Sequence, residues 1–481
     1  MYIRGRTVAL IVVFTVLCTS FATAAVVGEN GLVSLFAGSG STSASGSSDG
    51  LKKYQEKLEQ AYSLITTNYI DTVDDKKLVD GAIRGMVEAL GDPYSSYMDE
   101  KAAAEFNSSF ETSFQGIGAE VTMRDGRVTI VAPIKGSPAE KAGLRPEDQV
   151  IKVNGESLEG LTLHEAVEKI RGPKGTKANL EIIRPGRSEV LKISVVRDEI
   201  PIETVHATML DGKIGLIEIS QFSTETANDF TKALQKLEKE GMKGLIIDVR
   251  GNPGGMLQAV QEIGGNLLPK NRTIMQMEDN QKTAKVTGKL DQRKPYPITV
   301  LIDQGSASAS EILAAALKES GGYTLVGRKT FGKGTVQAAK EFNDGSNIKL
   351  TIAKWLTPNG NWIHNKGIKP DVEVKHPEMY NATVPLVEKP LKKNQANSDI
   401  QQVQLALKAL GFRPDRTDGY FSEQTETAVK AFQKMNKLKM TGEVDAVTAA
   451  KLQEELIKMR NDRKNDVQLR VAIETLKKQM K

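Results

Sequence analysis

Two short segments of this chain carry side chains able to do covalent chemistry. Gly305-Ser-Ala-Ser-Ala-Ser-Glu311 sets three serines at alternate positions where a loop runs into an apolar helix, with Ser308 at the junction. Thr330-Phe-Gly-Lys-Gly-Thr-Val-Gln337 sets Lys333 between two glycines, with Gln337 four residues on. A serine becomes a nucleophile only beside a base, and a lysine serves when burial and positive surroundings keep its amine neutral. Ser-Lys pairs are a known variant of the serine triad. A lysine on the surface of a turn would stay charged, near the ordinary ~10.4, and could not act as a base, so the chemistry requires Lys333 to be buried. The amide oxygen of Gln337 can accept from an amine and orient it. The plain alternative for the serine is structural: Ser308-Ala-Ser-Glu311 fits the capping box S-x-x-E. Ser306 and Ser310 stand as further nucleophile candidates. A nucleophile at a helix start gains from the positive end of the dipole, with the next amide, that of Ala309, facing a developing oxyanion.

These residues need a scaffold. From Ile214 onward, apolar runs suited to buried strands, Gly244–Asp248 and Ile298–Ile302, are each followed by a glycine-containing loop and a helix, which predicts an α/β core. The loop Asp248-Val-Arg-Gly-Asn-Pro-Gly-Gly255 fits neither the P-loop nor the dinucleotide fingerprint, so phosphate binding is not expected. Asp248 and Arg250 read as structural.

The two segments together resemble those of the carboxy-terminal processing, or tail-specific, serine proteases of peptidase family S41, over roughly Leu51 to His376. Carried onto this sequence, the resemblance implies Ser308 as nucleophile, Lys333 as base and Gln337 as the group orienting it. The similar Asn-Pro-Gly-Gly of the family implies oxyanion donors at Gly254 or Gly255, together with Ala309. It also implies a ClpP/crotonase-like core over residues 200–376, which periodicity alone does not distinguish from a doubly wound sheet. Glu319 lies where some members have an acid. Asp92-Pro-Tyr-Ser-Ser-Tyr97 is similar to a family segment that follows an N-terminal helical region, here residues 51–112; by itself it reads as a turn.

Residues 113–199 resemble a PDZ domain: β-rich, with short helices over Ser137–Leu144 and His164–Ile170 and an Asn-Gly turn at Gly155. Such a domain binds a chain end by strand addition, with a backbone nest for the terminal carboxylate. Gly116, Ile117 and Gly118 are the expected nest, because glycines let the backbone approach an anion closely. Arg171, just after the helix that walls the groove, is a candidate regulatory contact with the protease core; the plain reading is a solvated basic turn. Residues 377–397 form a linker. Residues 398–458 resemble an all-α peptidoglycan-binding-like module through Leu410-Gly-Phe412, Asp418-Gly-Tyr-Phe421 and Ala428-Val-Lys-Ala-Phe-Gln433. Residues 459–481 read as a C-terminal docking helix. The fold class is thus multidomain α/β.

At the N-terminus, Arg4 and Arg6 precede an uncharged, mostly apolar run from Thr7 to Val27 that ends near Ala22-Thr-Ala24. Residues 1–28 read either as a cleaved signal or as a retained membrane anchor with the body outside the cytoplasm, followed by a Ser/Gly linker at 29–50. Cys18 is the sole cysteine, which excludes an intramolecular disulfide, a four-cysteine zinc site and a cysteine protease. The four histidines show no ligand spacing, so no metal or organic cofactor is expected. A net charge of +5 over 481 residues, without basic clusters interleaved with aromatics, excludes a nucleic-acid footprint. The reading is an extracytoplasmic serine endopeptidase, membrane-anchored or secreted and wall-associated. Its expected substrates are proteins or peptides with apolar C-terminal tails. Peptidoglycan is a second expected partner, and the terminal helical regions are candidates for a homodimer contact. The rivals are a non-catalytic wall-associated PDZ adaptor and a hydrolase of peptidoglycan itself.

Overall fold

The computed structural model describes residues 47–480 apart from 112, 125, 135, 146, 186, 188, 281, 386 and 388. The signal or anchor segment, Cys18 and most of the Ser/Gly linker lie outside the described residues. No described helix is long and apolar enough to cross a membrane.

The core is a six-stranded sheet. Its strands Ile214–Ile219, Gly244–Asp248, Ile298–Ile302, Thr324–Gly327 and Val372–Glu373 run parallel, with Val205–Leu210 antiparallel at one edge. Gly244–Asp248 and Ile298–Ile302 are buried at every position, as a parallel sheet covered on both faces requires. Helices Thr226–Lys239, Leu257–Gly265 and Ala309–Ala315 cover one face through Phe230, Leu234, Val260, Ile263, Ile312 and Leu313. The other face is covered by the last helix, Val467–Gln479, through Leu469, Ala472 and Leu476. Asp248 pairs with Leu301 in register, so the glycine loop and the serine segment leave the same edge of the sheet side by side. That edge, at the carboxyl ends of parallel strands, is where open α/β sheets place ligands.

A second, five-stranded sheet holds the lysine segment. Lys333 enters the strand Thr335–Glu341, which pairs antiparallel with Asn347–Leu356; Thr273–Glu278, Thr283–Thr287 and Ser96–Met98 complete the sheet. The register shifts between Val336 and Gln337, and a bulge of this kind re-aims the side chain that follows it.

Residues 119–196 form a separate six-stranded sheet around Ile117, Val128, Ile130, Leu180 and Ile182. Ala119–Arg124 is its edge strand, paired on one side only with Arg127–Pro133. The expected turn occurs at Asn154 and Gly155, both at positive φ. A two-stranded ribbon, Ser113–Gly116 with Asp198–Pro201, joins this unit to the core.

Three boundaries differ from expectation. The first helix spans Ser47–Asn68, so it begins inside the expected linker. Its apolar positions Tyr54, Leu58 and Ile65 are exposed rather than buried. At the other end, Met459 belongs to the helix Ala446–Asn461 of the C-terminal module, and the docking helix starts only at Val467. Asp462 and Asp466 interrupt the run, each capping the turn that follows it.

Candidate active site

Ser308 lies on the sharp turn from Ile298–Ile302 into the helix Ala309–Ala315. Its φ of 53° and ψ of −112° depart from the extended conformation of an ordinary N-cap. A non-glycine residue at positive φ is strained and persists only where its surroundings hold it. The hold is visible. Ser306 Oγ donates to Val249 O at 2.8 Å and Ser310 Oγ to Asn252 O at 2.9 Å, while Ala307 N donates to Asn252 O. Asp303 Oδ1 accepts from the N–H groups of Gly251, Gly305 and Ser306. The two neighbouring serine hydroxyls are therefore structural, and each ties the serine segment to the glycine loop.

The capping-box glutamate does more than cap. Glu311 is fully buried. Its Oε2 accepts from Ser308 N at 2.9 Å and from Lys333 N at 2.8 Å; its Oε1 accepts from Gly332 N at 2.7 Å and Thr330 Oγ1 at 2.6 Å. Burial pushes this carboxyl up, and the four donors pull it back without cancelling the rise. One carboxylate thus clamps the serine turn to the lysine loop. The capping signature was legible in the sequence, but a partner 22 residues away was not.

Lys333 is 5% exposed, as a base requires. Its carbonyl accepts from Trp355 Nε1 at 2.7 Å, and its Nζ lies 5.0 Å from the centre of the Tyr94 ring. Tyr94 comes from the Asp-Pro-Tyr turn. Asp92 shapes that turn by accepting from Tyr94 N and Ser95 Oγ, and Ser95 Oγ in turn accepts from Thr351 N. The motif is therefore not a plain turn but a wall of the site. His364 stacks on Trp362 at 5.1 Å, and its Nδ1 accepts from Gly334 N at 3.3 Å. Burial pushes the imidazole below its ordinary value; Asp92 opposes that and Lys333 adds to it. Nothing in the spacing around His364 signalled this position.

Gln337 is buried. Its Nε2 donates to Thr335 Oγ1 and Thr351 Oγ1 at 2.9 and 3.0 Å, so two threonine hydroxyls hold the NH2 end of the amide. In the glycine loop, Gly254 N donates to Asn252 Oδ1 at 2.8 Å. A Cβ on Gly254 would lie 2.9 Å from Ser308 Cβ and 3.0 Å from Ala309 N. The lack of a side chain at Gly254 is what lets the loop approach the serine, while its N–H is already engaged. Glu319 accepts from Asn359 N at 2.8 Å and serves a turn. Arg250 is held by Asp248 and by Asp466 of the last turn, in keeping with a structural role.

In the β-rich unit, Ile117 O accepts from Ala139 N, and Gly118 O accepts from Ile134 N and Ser137 Oγ. These bonds turn the loop carbonyls inward at the head of the edge strand. Arg171 lies over the Phe114 ring at 5.1 Å, on the ribbon joining this unit to the core. Among the described residues no grouping of three His, Cys, Asp or Glu side chains is placed to share a metal ion.

Comparison with known proteins gives four family matches: peptidase family S41 over residues 213–374, the activating protease CtpB N-terminal domain over 20–102, a PDZ domain over 129–184, and a putative peptidoglycan binding domain over 396–452. The carboxy-terminal processing protease CtpB of Bacillus subtilis is 50% identical over 428 residues, which cover 88% of this chain and 89% of that protein. CtpA of the same organism is 47% identical over 426 residues, covering 88% of this chain and 91% of the relative. A probable CtpA-like serine protease of Staphylococcus aureus is 38% identical over 424 residues, covering 88% and 84%.

Proposed function

This chain belongs to the carboxy-terminal processing proteases of peptidase family S41 and is a serine-type peptidase; from that premise we propose that Ser308 is its nucleophile and Lys333 its general base. The observation that carries this reading is the engagement of Ser306 and Ser310 on backbone carbonyls, beside a Ser308 locked to the lysine loop through Glu311. The neutral amine of Lys333 takes the Ser308 Oγ proton as Oγ attacks the peptide carbonyl carbon. Gln337 Oε1 orients the amine. The oxyanion is met by Ala309 N–H at the helix start and by the glycine loop, through Gly255 N–H, since Gly254 N–H is bound to Asn252. The ammonium then protonates the leaving amine as the C–N bond breaks. Lys333 then takes a proton from water as the water oxygen attacks the ester carbonyl, and the resulting ammonium gives that proton to Ser308 Oγ as the acyl C–O bond breaks.

The substrate enters by its tail. The free edge of Ala119–Arg124, directly after Gly116-Ile-Gly118, suits strand addition. Ala119, Val121 and Met123 lie against the PDZ core yet stay half-buried, which favours apolar tails. Arg171, set on the Phe114 ribbon, couples tail binding to the core. The protein works outside the cytoplasm, held by its N-terminal segment or by its wall-binding-like module. The exposed Tyr54, Leu58 and Ile65 of the first helix supply a homodimer surface. The test is cleavage of an unfolded protein with an apolar tail by the wild type, Ser308→Ala and Lys333→Ala. Turnover surviving either substitution would overturn the pair.

A further inference from the structure

Arg250 stands between the central strand Gly244–Asp248 and the glycine loop that reaches Ser308. Its side chain is 16% exposed. Nε donates to Asp248 Oδ1 at 2.9 Å and Oδ2 at 3.1 Å. Nη2 donates to Asp248 Oδ2 at 2.6 Å and Asp466 Oδ2 at 2.7 Å. Nη1 donates to Asp466 Oδ1 and Gln468 Oε1, both at 3.0 Å. The partners from 216 and 218 residues downstream are themselves fixed. Asp466 Oδ1 accepts from Leu469 N as the cap of the last helix, and Gln468 Nε2 donates to Val374 O. The chain leaves the core sheet after Val372–Glu373, builds the three-helix module, and returns to the same sheet to fill its second face.

We propose that Asp466 is a positioning residue for catalysis: with Gln468 it fixes the Arg250 guanidinium, and through Arg250 the Gly251–Gly255 loop, so that the last helix completes the active site and the wall-binding-like module is an insertion within the protease unit. The inference rests on Ser308 as nucleophile and on the glycine loop as oxyanion donor. Asp248 can hold only one edge of the guanidinium. Without Asp466, Nη1 keeps a single neutral acceptor, and a buried guanidinium with unmet donors turns toward water or new acceptors. That rotation is applied at the first residue of a loop whose amides must meet an oxyanion within a few tenths of an ångström, and preorganised donors lose their effect quickly when displaced.

The experiment uses the full chain and a peptide substrate, with kcat, KM and thermal midpoint measured for Asp466→Asn, Asp466→Glu, Leu476→Ala and Ser308→Ala. Leu476 is buried on the same helix, against the sheet rather than Arg250. Asp466→Asn is expected to lower kcat about 10- to 100-fold with KM changed less than about two-fold. Asp466→Glu recovers part of the loss. Leu476→Ala lowers the thermal midpoint but leaves kcat per folded molecule within about two-fold. An Asp466→Asn variant with unchanged kcat, or one whose loss merely tracks its folded fraction as in Leu476→Ala, overturns the inference while the serine reading stands. Activity in Ser308→Ala overturns both.

Discussion

Glu311 and Lys333 are joined through the main chain of the lysine: Glu311 Oε2 accepts the Lys333 N–H at 2.8 Å. The same oxygen holds Ser308 N at 2.9 Å. The carboxylate thus fixes where the lysine loop stands relative to the serine turn.

Replacing Glu311 by glutamine keeps the volume but turns one acceptor oxygen into a donor. Whichever end it occupies, the new amide meets N–H or O–H groups that now lack an acceptor. Each buried orphan costs about 1–3 kcal/mol, and the serine and lysine separate. We expect kcat/KM to fall about 100-fold or more, with a lower thermal midpoint. Full turnover with an unchanged midpoint would show that the clamp is dispensable.

Ser306→Ala and Ser310→Ala remove hydroxyls bonded to backbone carbonyls. Each should cost about 1 kcal/mol of stability and leave a measurable fraction of activity, because the nucleophile remains. Ser308→Ala should leave the unfolding curve nearly unchanged and abolish acylation by a serine-directed probe. A labelled Ser308→Ala enzyme would move the nucleophile elsewhere.

Lys333→Arg keeps a basic side chain of similar length. A guanidinium stays protonated, so it cannot take the serine proton. Cleavage should be lost by orders of magnitude while the fold persists. Near-normal turnover would remove Lys333 from the base role.

Amidating a substrate's C-terminus removes the charge that the Gly116-Ile-Gly118 loop is proposed to hold, and cleavage should slow. In Arg171→Ala, turnover should fall more than tail affinity does if Arg171, which lies over Phe114 on the ribbon joining the PDZ unit to the core, couples the two. Equal rates for free-acid and amidated tails would remove the case for tail capture.

Asp466 links stability to pH. Burial pushes its carboxyl up, but the hydrogen bonds and charge of Arg250 outweigh that and hold it below the ordinary value. With the folded value depressed, the contribution is complete above the unfolded value, ~3.9, and is lost as pH falls through the folded one. The stability gap between wild type and Asp466→Asn should therefore be constant at neutral pH and shrink below about pH 4. A gap that stays level into stronger acid would mean that the carboxylate is not paired in solution.

Much of this molecule is legible from local pattern. The buried strands Gly244–Asp248 and Ile298–Ile302, the edge strand near Glu120, the Asn154-Gly155 turn and the helices of the C-terminal module all follow from periodicity and turn chemistry, because those signals lie within a few residues of one another. The serine segment and the lysine segment stand out for the same reason. What joins them is not local. That one glutamate oxygen serves both, that Tyr94 walls the lysine, that Asn252 engages Gly254, and that Asp466 returns to Arg250 all depend on which strands lie side by side. A hydrogen bond between residues tens or hundreds of positions apart leaves no spacing to read. Residue types, the elements that carry them and the family resemblance that points to Ser308 are all readable along the chain; that Ser306 and Ser310 are bonded to backbone carbonyls and that Glu311 ties the serine turn to the lysine loop is visible only in the packed fold, because burial and partner geometry are properties of the sheet edge.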